Sequence, residues 1–184
     1  MSGNFPNFLV SPNGQSPKNL SDSIRKVRNA SAGFIQSWGA GDHEDAYETS
    51  QEAFEHLDYI QNEILRQRDS RRNESGWTTS DLKVALSVSV GEISTTIGQA
   101  EIDWFLGLSA GHGALPADLE TRELTLEVAL NKLKHRDTAA LNFSADTEHK
   151  LFLYTRAGIG QPDSISRIDL PDFCSAAAKT AKLV

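Results

Sequence analysis

Four arginines lie close together near the middle of the chain and are its strongest candidates for contact with an anion. They are Arg66, Arg68, Arg71 and Arg72. Guanidinium groups bind phosphate oxygens well, and a protein that neutralises phosphates with several of them binds nucleic acid in a salt-dependent way. Alternatively, the four form the basic end of a helix, where they stabilise the helix dipole and pair with acids of a neighbouring element. The net charge of -7 and the lack of a recognisable nucleic-acid motif favour this second interpretation.

A second group of residues suggests metal chemistry, because it combines carboxylates with a histidine. Its members are Glu48, Glu52, Glu55 and His56. Helical di-metal proteins bind their ions with Glu-x-x-His pairs on two helices. Here Glu52 and His56 are four residues apart, and no Glu-x-x-His elsewhere in the chain completes such a site. We therefore interpret these residues as the solvated acidic face of a helix and predict no metal site.

The histidines, glycines and single cysteine form no catalytic constellation in the sequence. His112 lies between Gly111 and Gly113, but no Gly-x-Ser-x-Gly element accompanies it, and Cys174 is far away along the chain. The glycine-rich segments do not continue into a phosphate-binding pattern. We predict that the chain is not an enzyme and uses no cofactor, although carboxylates assembled by a fold would leave no local motif.

Composition restricts the classes of partner and compartment. With a sequence pI near 5.2, the chain has no general attraction for nucleic acid or anionic membranes. No basic and apolar leader opens the sequence, and no apolar run approaches the roughly twenty residues of a membrane-spanning helix. A single cysteine rules out an internal disulfide, which fits a reducing compartment. We expect a cytoplasmic or intracellular assembly protein without a signal peptide or transmembrane segment.

The first forty residues offer candidate contacts to other subunits. Residues 1–18 are rich in Pro, Asn, Gly and Ser and lack periodicity, which predicts an extended arm. An apolar cluster in this arm could dock on a neighbour, and three cations follow within residues 19–40. The candidate assembly contacts are Phe5, Phe8, Leu9, Val10, Arg25, Lys26 and Arg28. Residues 42–63 carry eight acids and no Lys or Arg, so the two segments are complementary, either between subunits or within one helical hairpin.

Apolar residues at spacings of three and four predict the helices that carry these groups. A first amphipathic helix runs from Leu20 to Trp38, with an N-cap at Asn19 or Ser21, and the following glycines end it. A second helix is predicted from Asp42 into the low seventies, with acids in its first turns and the arginines at its end.

The stretch from Thr78 to Gly113 carries the longest apolar pattern and has two interpretations. As a helix, its period of 3.6 continues to Leu108, whereas an alternation of apolar residues around Lys83–Val90 predicts a strand ending at Gly91. We favour one central helix, because the longer pattern continues where the alternation stops, and we leave Lys83–Val90 open. Another helix is expected to begin at Pro116 and Asp118. Its predicted buried face is Leu119, Leu126, Leu130 and Leu133.

The last forty residues change character. Lys150–Arg156 and Ile165–Leu170 predict a β-hairpin, and a short helix is expected to start at Pro171 and Asp172. The predicted fold is therefore mainly α, a helical bundle of about four principal helices with terminal additions. The predicted parts are an extended N-terminal arm at 1–18, a helical bundle domain at 19–142, and a C-terminal extension at 143–184 with the β-hairpin and short helix.

From these patterns we expect a non-catalytic structural subunit of a larger assembly, of the coat, connector or scaffold type. Helix packing and terminal arms would hold it to copies of itself or to other protein subunits. The alternative is a helical nucleic-acid-associated adaptor or regulator that uses the four arginines. A third possibility is an enzyme without a local motif. No membrane contact and no small-molecule ligand are predicted from the sequence.

Overall fold

The computed structural model describes residues 19–158 and 161–184. The helices are α1 (Leu20–Ala40), α2 (His43–Arg71), α3 (Asp81–Leu86), α4 (Gln99–Leu106), α5 (Leu126–Lys134) and α6 (Leu170–Thr180), and a short 3-10 helix covers Trp77–Thr79. The strands are β1 (Ser89–Ser94), β2 (Arg122–Thr125), β3 (Leu141–Ser144), β4 (Lys150–Thr155) and β5 (Ser164–Asp169). All neighbouring strands are antiparallel, and their order in the sheet is β2-β1-β5-β4-β3.

The prediction of a mainly α bundle with one C-terminal hairpin is wrong. The fold is mixed, with helices over 53% of the chain and a five-stranded antiparallel sheet over 17%. The hairpin of β4 and β5 does form, but β1 pairs with β5 and β2 pairs with β1, so the hairpin belongs to a larger sheet. The predicted boundary after residue 142 falls inside β3. The division into domains itself stays a prediction.

The single central helix proposed for Thr78–Gly113 is also wrong, since this stretch folds as α3, β1 and α4 in succession. Ser80 caps α3 by accepting a hydrogen bond from the Lys83 backbone at 3.2 Å. Lys83–Val90 contains both structures, because α3 ends at Leu86 and β1 begins at Ser89. Strand β1 pairs with β2 on one side and with β5 on the other, and its buried residues include β-branched side chains that favour strands. The helical period of this stretch is built on weak helix formers, so the sheet is the more stable structure.

The helix expected at Pro116 begins later, at Leu126. Residues 122–125 form β2 instead, and Thr125 caps α5 by accepting from the Val128 backbone at 3.4 Å. Three of the predicted buried leucines, Leu126, Leu130 and Leu133, are buried in α5, whereas Leu119 precedes the helix and is half-buried.

The predicted boundaries of α1, α2 and α6 are confirmed. The Asn19 side chain caps α1 by accepting from the Ser21 backbone at 2.8 Å, and Gly41 ends the helix with a φ of 76°. Helix α2 covers almost the predicted range. The chain passes directly from β5 into α6, with Pro171 in the first turn of that helix, where its missing N–H costs nothing.

The sheet separates two hydrophobic cores. One face contributes Ile93, Leu153 and Ile168 to the larger core, which the helices other than α4 cover. The other face contributes Phe152 and Ile165 to a smaller core. Helix α4 closes that core with Ile102 and Phe105.

An aromatic cluster fixes α1 to the β3 edge of the sheet. The Phe34 ring meets the Phe143 ring edge-on at 4.8 Å and stacks on the His149 imidazole at 4.7 Å. Trp38 also contacts Phe143 edge-on at 4.7 Å. The imidazole Nδ1 of His149 lies 3.0 Å from the Ser31 hydroxyl, so a buried histidine links α1 to the start of β4.

The backbones of β1 and β5 approach each other closely at Gly91, and a substitution there tests this contact. A Cβ at this position would overlap the backbone carbonyl of Arg167, whose strand cannot move without disturbing both cores. We expect Gly91→Ala to lower the free energy of unfolding by about 2 kcal/mol or more in urea denaturation. Gly39→Ala is the matched control, because its Cβ would meet nothing within 4 Å. Equal stability of the two variants would contradict the close approach.

His149 is expected to make the fold acid-sensitive. Burial lowers its pKa from 6.5 to about 4, so the folded state favours the neutral ring. This stabilisation is complete above pH 6.5 and is lost as the pH falls towards 4, by about 3 kcal/mol. His149→Phe keeps an aromatic ring that cannot be protonated, so its stability should decline less over the same interval.

The measurement is urea unfolding of both proteins at pH 7 and at pH 4. His112→Gln is the control, because His112 is exposed, and it should decline like the unmodified chain. If His149→Phe loses as much stability as the unmodified chain, the buried imidazole is not the acid-sensitive group.

A cationic cleft as candidate functional site

A cleft with a volume of about 770 Å³ lies between the end of α2, one side of α5 and the end of β4. We call it the cationic cleft. Its polar and aromatic lining residues are Arg68, Arg72, Trp77, Glu127, Asn131, Lys132, His135, Thr155, Arg156 and Gln161. Four Lys or Arg side chains line it against one acid, whereas the whole chain has 25 acids and 18 Lys or Arg. The cleft therefore concentrates positive charge in an acidic protein.

The structure divides the four arginines predicted as one anion-binding cluster. Arg68 and Arg72 are four residues apart, share one face of α2, and line the cleft. Arg66 lies outside this lining, where it pairs with Glu63 at 2.6 Å. Arg71 donates a hydrogen bond to the Leu183 carbonyl at 2.9 Å and so holds the C-terminal segment.

Arg68 and Arg72 differ in how firmly they are held. The Arg68 guanidinium pairs with Asp69 at 2.8 Å and with Glu127 at 3.4 Å, and only 13% of its side chain is exposed. Glu127 also pairs with Lys83 at 2.6 Å, which joins α2, α5 and α3 through one carboxylate. Arg72 is 58% exposed, and its guanidinium lies 3.7 Å from Asp69, so it is free to reach a ligand.

Lys132 and Thr155 form a buried polar pair in the wall of the cleft. Lys132 is 7% exposed and donates to the Ser164 hydroxyl at 2.6 Å. Burial lowers the pKa of its amine, and the nearby Arg122 charge adds to the effect. The buried Thr155 hydroxyl has no hydrogen-bond partner among the described residues. A buried ammonium with a neutral partner and an unsatisfied hydroxyl are costly unless something else compensates them.

The fourth cation, Arg156, lies just beyond the end of β4 and is exposed. Its charge acts on the Tyr154 hydroxyl and on Asp163, which are joined by a hydrogen bond of 2.7 Å. Asp163 also accepts from the Ala157 backbone at 2.9 Å. These bonds join Asp163 to Tyr154 and to Ala157, the residues on either side of Arg156.

The predicted assembly contacts are placed differently. Phe5, Phe8, Leu9 and Val10 lie outside the described residues. Arg25 and Lys26 pair with Asp22 of their own helix, at 2.5 and 3.9 Å. Arg28 lies beside Cys174, whose buried thiol has a pKa raised to about 11 and is therefore a poor nucleophile. The assembly role stays a prediction.

The acidic face of α2 is solvated where the sequence suggested a metal. Glu48, Glu52 and Glu55 are exposed, whereas His56 is buried. Within the part of the chain that the structure describes, no group of three or more His, Cys, Asp or Glu residues could hold a metal ion. His112 lies in an exposed loop, where its ring nitrogen is 3.3 Å from the Ala110 carbonyl.

No protein-family model, no curated protein and no solved structure matches the chain. Among the described helices, none combines the length and the apolar character that crossing a membrane would require. Sequence reasoning did not single out Trp77, Lys132, Thr155 or Arg156 as site residues, and it had predicted no small-molecule ligand.

In the absence of a ligand, the buried amine of Lys132 is expected to lower the free energy of unfolding. Lys132→Met removes a buried charge and keeps a long apolar side chain, so we expect the free energy of unfolding to rise by about 1 kcal/mol at neutral pH. The measurement is urea unfolding. Lys134→Met, at an exposed position of the same helix, should change stability by less than about 0.5 kcal/mol. A clear loss of stability in Lys132→Met would instead show that the amine is a structural hydrogen-bond donor.

Proposed function

We propose that the protein binds a small multivalent anion in the cationic cleft. The observation that carries this proposal is the convergence of Arg68, Arg72, Lys132 and Arg156 on one concave site of an acidic chain. The four come from α2, α5 and the end of β4, which are separated in sequence and meet through the fold. A positive site in a negative protein attracts anions selectively, because the surrounding charge disfavours their binding elsewhere.

The cleft has the size and the polarity expected of a ligand site. Its volume of about 770 Å³ falls in the range of small-molecule pockets, and its lining combines apolar surface with many polar and charged side chains. Regular elements supply most of these groups, which gives them fixed positions before a ligand arrives. An anion in the cleft would also supply the negative charge that Lys132 lacks.

The arrangement supports a compact ligand more than a nucleic-acid duplex. A protein that follows a phosphate backbone needs its cations spread along one surface. Here Arg66 and Arg71 are engaged outside the cleft lining, so the four arginines of α2 do not form one continuous track. The nucleic-acid role stays an alternative, and the absence of enzymatic activity stays a prediction.

Calorimetric titration of the full chain with pyrophosphate and with citrate tests the proposal. We expect binding that weakens with ionic strength. The double variant Arg72→Gln with Arg156→Gln removes two exposed cations of the cleft, so it should lose affinity about tenfold or more. Arg66→Gln is the matched control on the same helix, because Arg66 does not line the cleft, and it should bind like the unmodified chain.

Two results would contradict the proposal. One is the absence of heat and of thermal stabilisation with either anion at low ionic strength. The other is an equal loss of affinity in the Arg66→Gln control, which would indicate general charge attraction instead of a site.

A further inference from the structure

We propose that the anion is a nucleoside phosphate whose base stacks on Trp77 while its phosphates lie among the cations of the cleft. This inference rests on the proposed function, because it names the chemical class of the same ligand. The carrying observation is that one cleft contains an indole, two arginines of the adjacent helix end, and a buried lysine and threonine.

Trp77 is held in position by its local structure. It opens the 3-10 helix between α2 and α3, after Gly76, whose φ of 84° makes the sharp turn that L side chains disfavour. The Ser80 hydroxyl donates to the Trp77 carbonyl at 2.8 Å, and the ring is half-buried against the larger core. An indole fixed in this way offers a stacking surface at little cost in side-chain entropy.

The distribution of groups fits the two parts of a nucleotide. Aromatic side chains stack on any base, and guanidinium groups bind phosphate oxygens in pairs. Arg72 lies five residues before Trp77, and both line the cleft, so a ring and a phosphate could be bound from the same chain connection. Lys132 supplies a further cation from α5 for phosphate oxygens, and the unsatisfied Thr155 hydroxyl is buried close by, at the end of β4.

Asn131 adds a group that can distinguish a nucleotide from a simpler anion. Its amide nitrogen donates to the Glu127 carbonyl at 2.9 Å, which fixes the side chain at the wall of the cleft. The amide oxygen remains available as an acceptor for a base amino group or a sugar hydroxyl. Fully ionised inorganic pyrophosphate has no hydrogen to donate to this acceptor and no ring to stack on the indole.

The test compares ADP, GDP, adenosine and pyrophosphate in calorimetric and tryptophan-fluorescence titrations of the full chain. We expect at least one nucleotide to bind about tenfold or more tightly than pyrophosphate, and adenosine alone to bind weakly. Trp77→Leu should remove the advantage of the nucleotide over pyrophosphate, whereas Trp77→Tyr should restore much of it. Trp104→Leu is the control, because Trp104 is 42% exposed and lies in α4.

The outcomes separate this inference from the proposed function. If pyrophosphate binds as tightly as both nucleotides, the nucleoside class is wrong and the anion site remains. If none of the four ligands binds and citrate also fails, the proposed function is wrong as well. An oligonucleotide that binds more tightly than ADP and loses affinity in Trp77→Leu would overturn the free nucleotide in favour of single-stranded nucleic acid. Circular dichroism of each variant verifies that it is folded.

Discussion

The structure depends on the central strand β5, which is hydrogen-bonded on both sides. It pairs with β1 through four residues and with β4 through six, so its backbone groups are satisfied without water. Ile165 and Ile168 are completely buried on opposite faces, one in each hydrophobic core. A shift of one residue in register would exchange these faces, and the two cores therefore fix the pairing of the sheet. Helix α6 continues directly from this strand and closes the larger core.

The cleft places several positive charges beside the larger hydrophobic core, and one of them, on Lys132, is buried. Lys132 lies on α5, a helix that the larger core requires, and its amine is buried where it donates to the Ser164 hydroxyl. Glu127 compensates Arg68 and Lys83 but leaves the deeper amine with a hydroxyl partner. Such local exceptions to good packing are typical of functional sites, because the fold elsewhere supplies the stability that they cost.

Local sequence signals could predict the elements that are stabilised locally. Caps and apolar periods placed α1 and α2, and turn residues placed the β4–β5 hairpin. Strand β1 could not be recognised in this way, because its partners β2 and β5 lie far along the chain and its residues continue an apparent helical period. For the site, the spacing of Arg68 and Arg72 indicates a shared helix face, but only the tertiary fold brings Lys132 and Arg156 to them. Tertiary packing decides which of the clustered arginines face the cleft, and the sequence composition does not show this.

The connectivity also has a consequence for synthesis on the ribosome. Helices α1 and α2 are neighbours in sequence and contact each other extensively, so the contacts between them can form before the later elements are made. The partner of β1 in the middle of the sheet is β5, which is made later than α4 and α5. We expect the helical hairpin to form early and to wait with its apolar side uncovered until α5 and α6 are available. During that interval the nascent chain presents the surface that chaperones recognise, although the finished protein buries it.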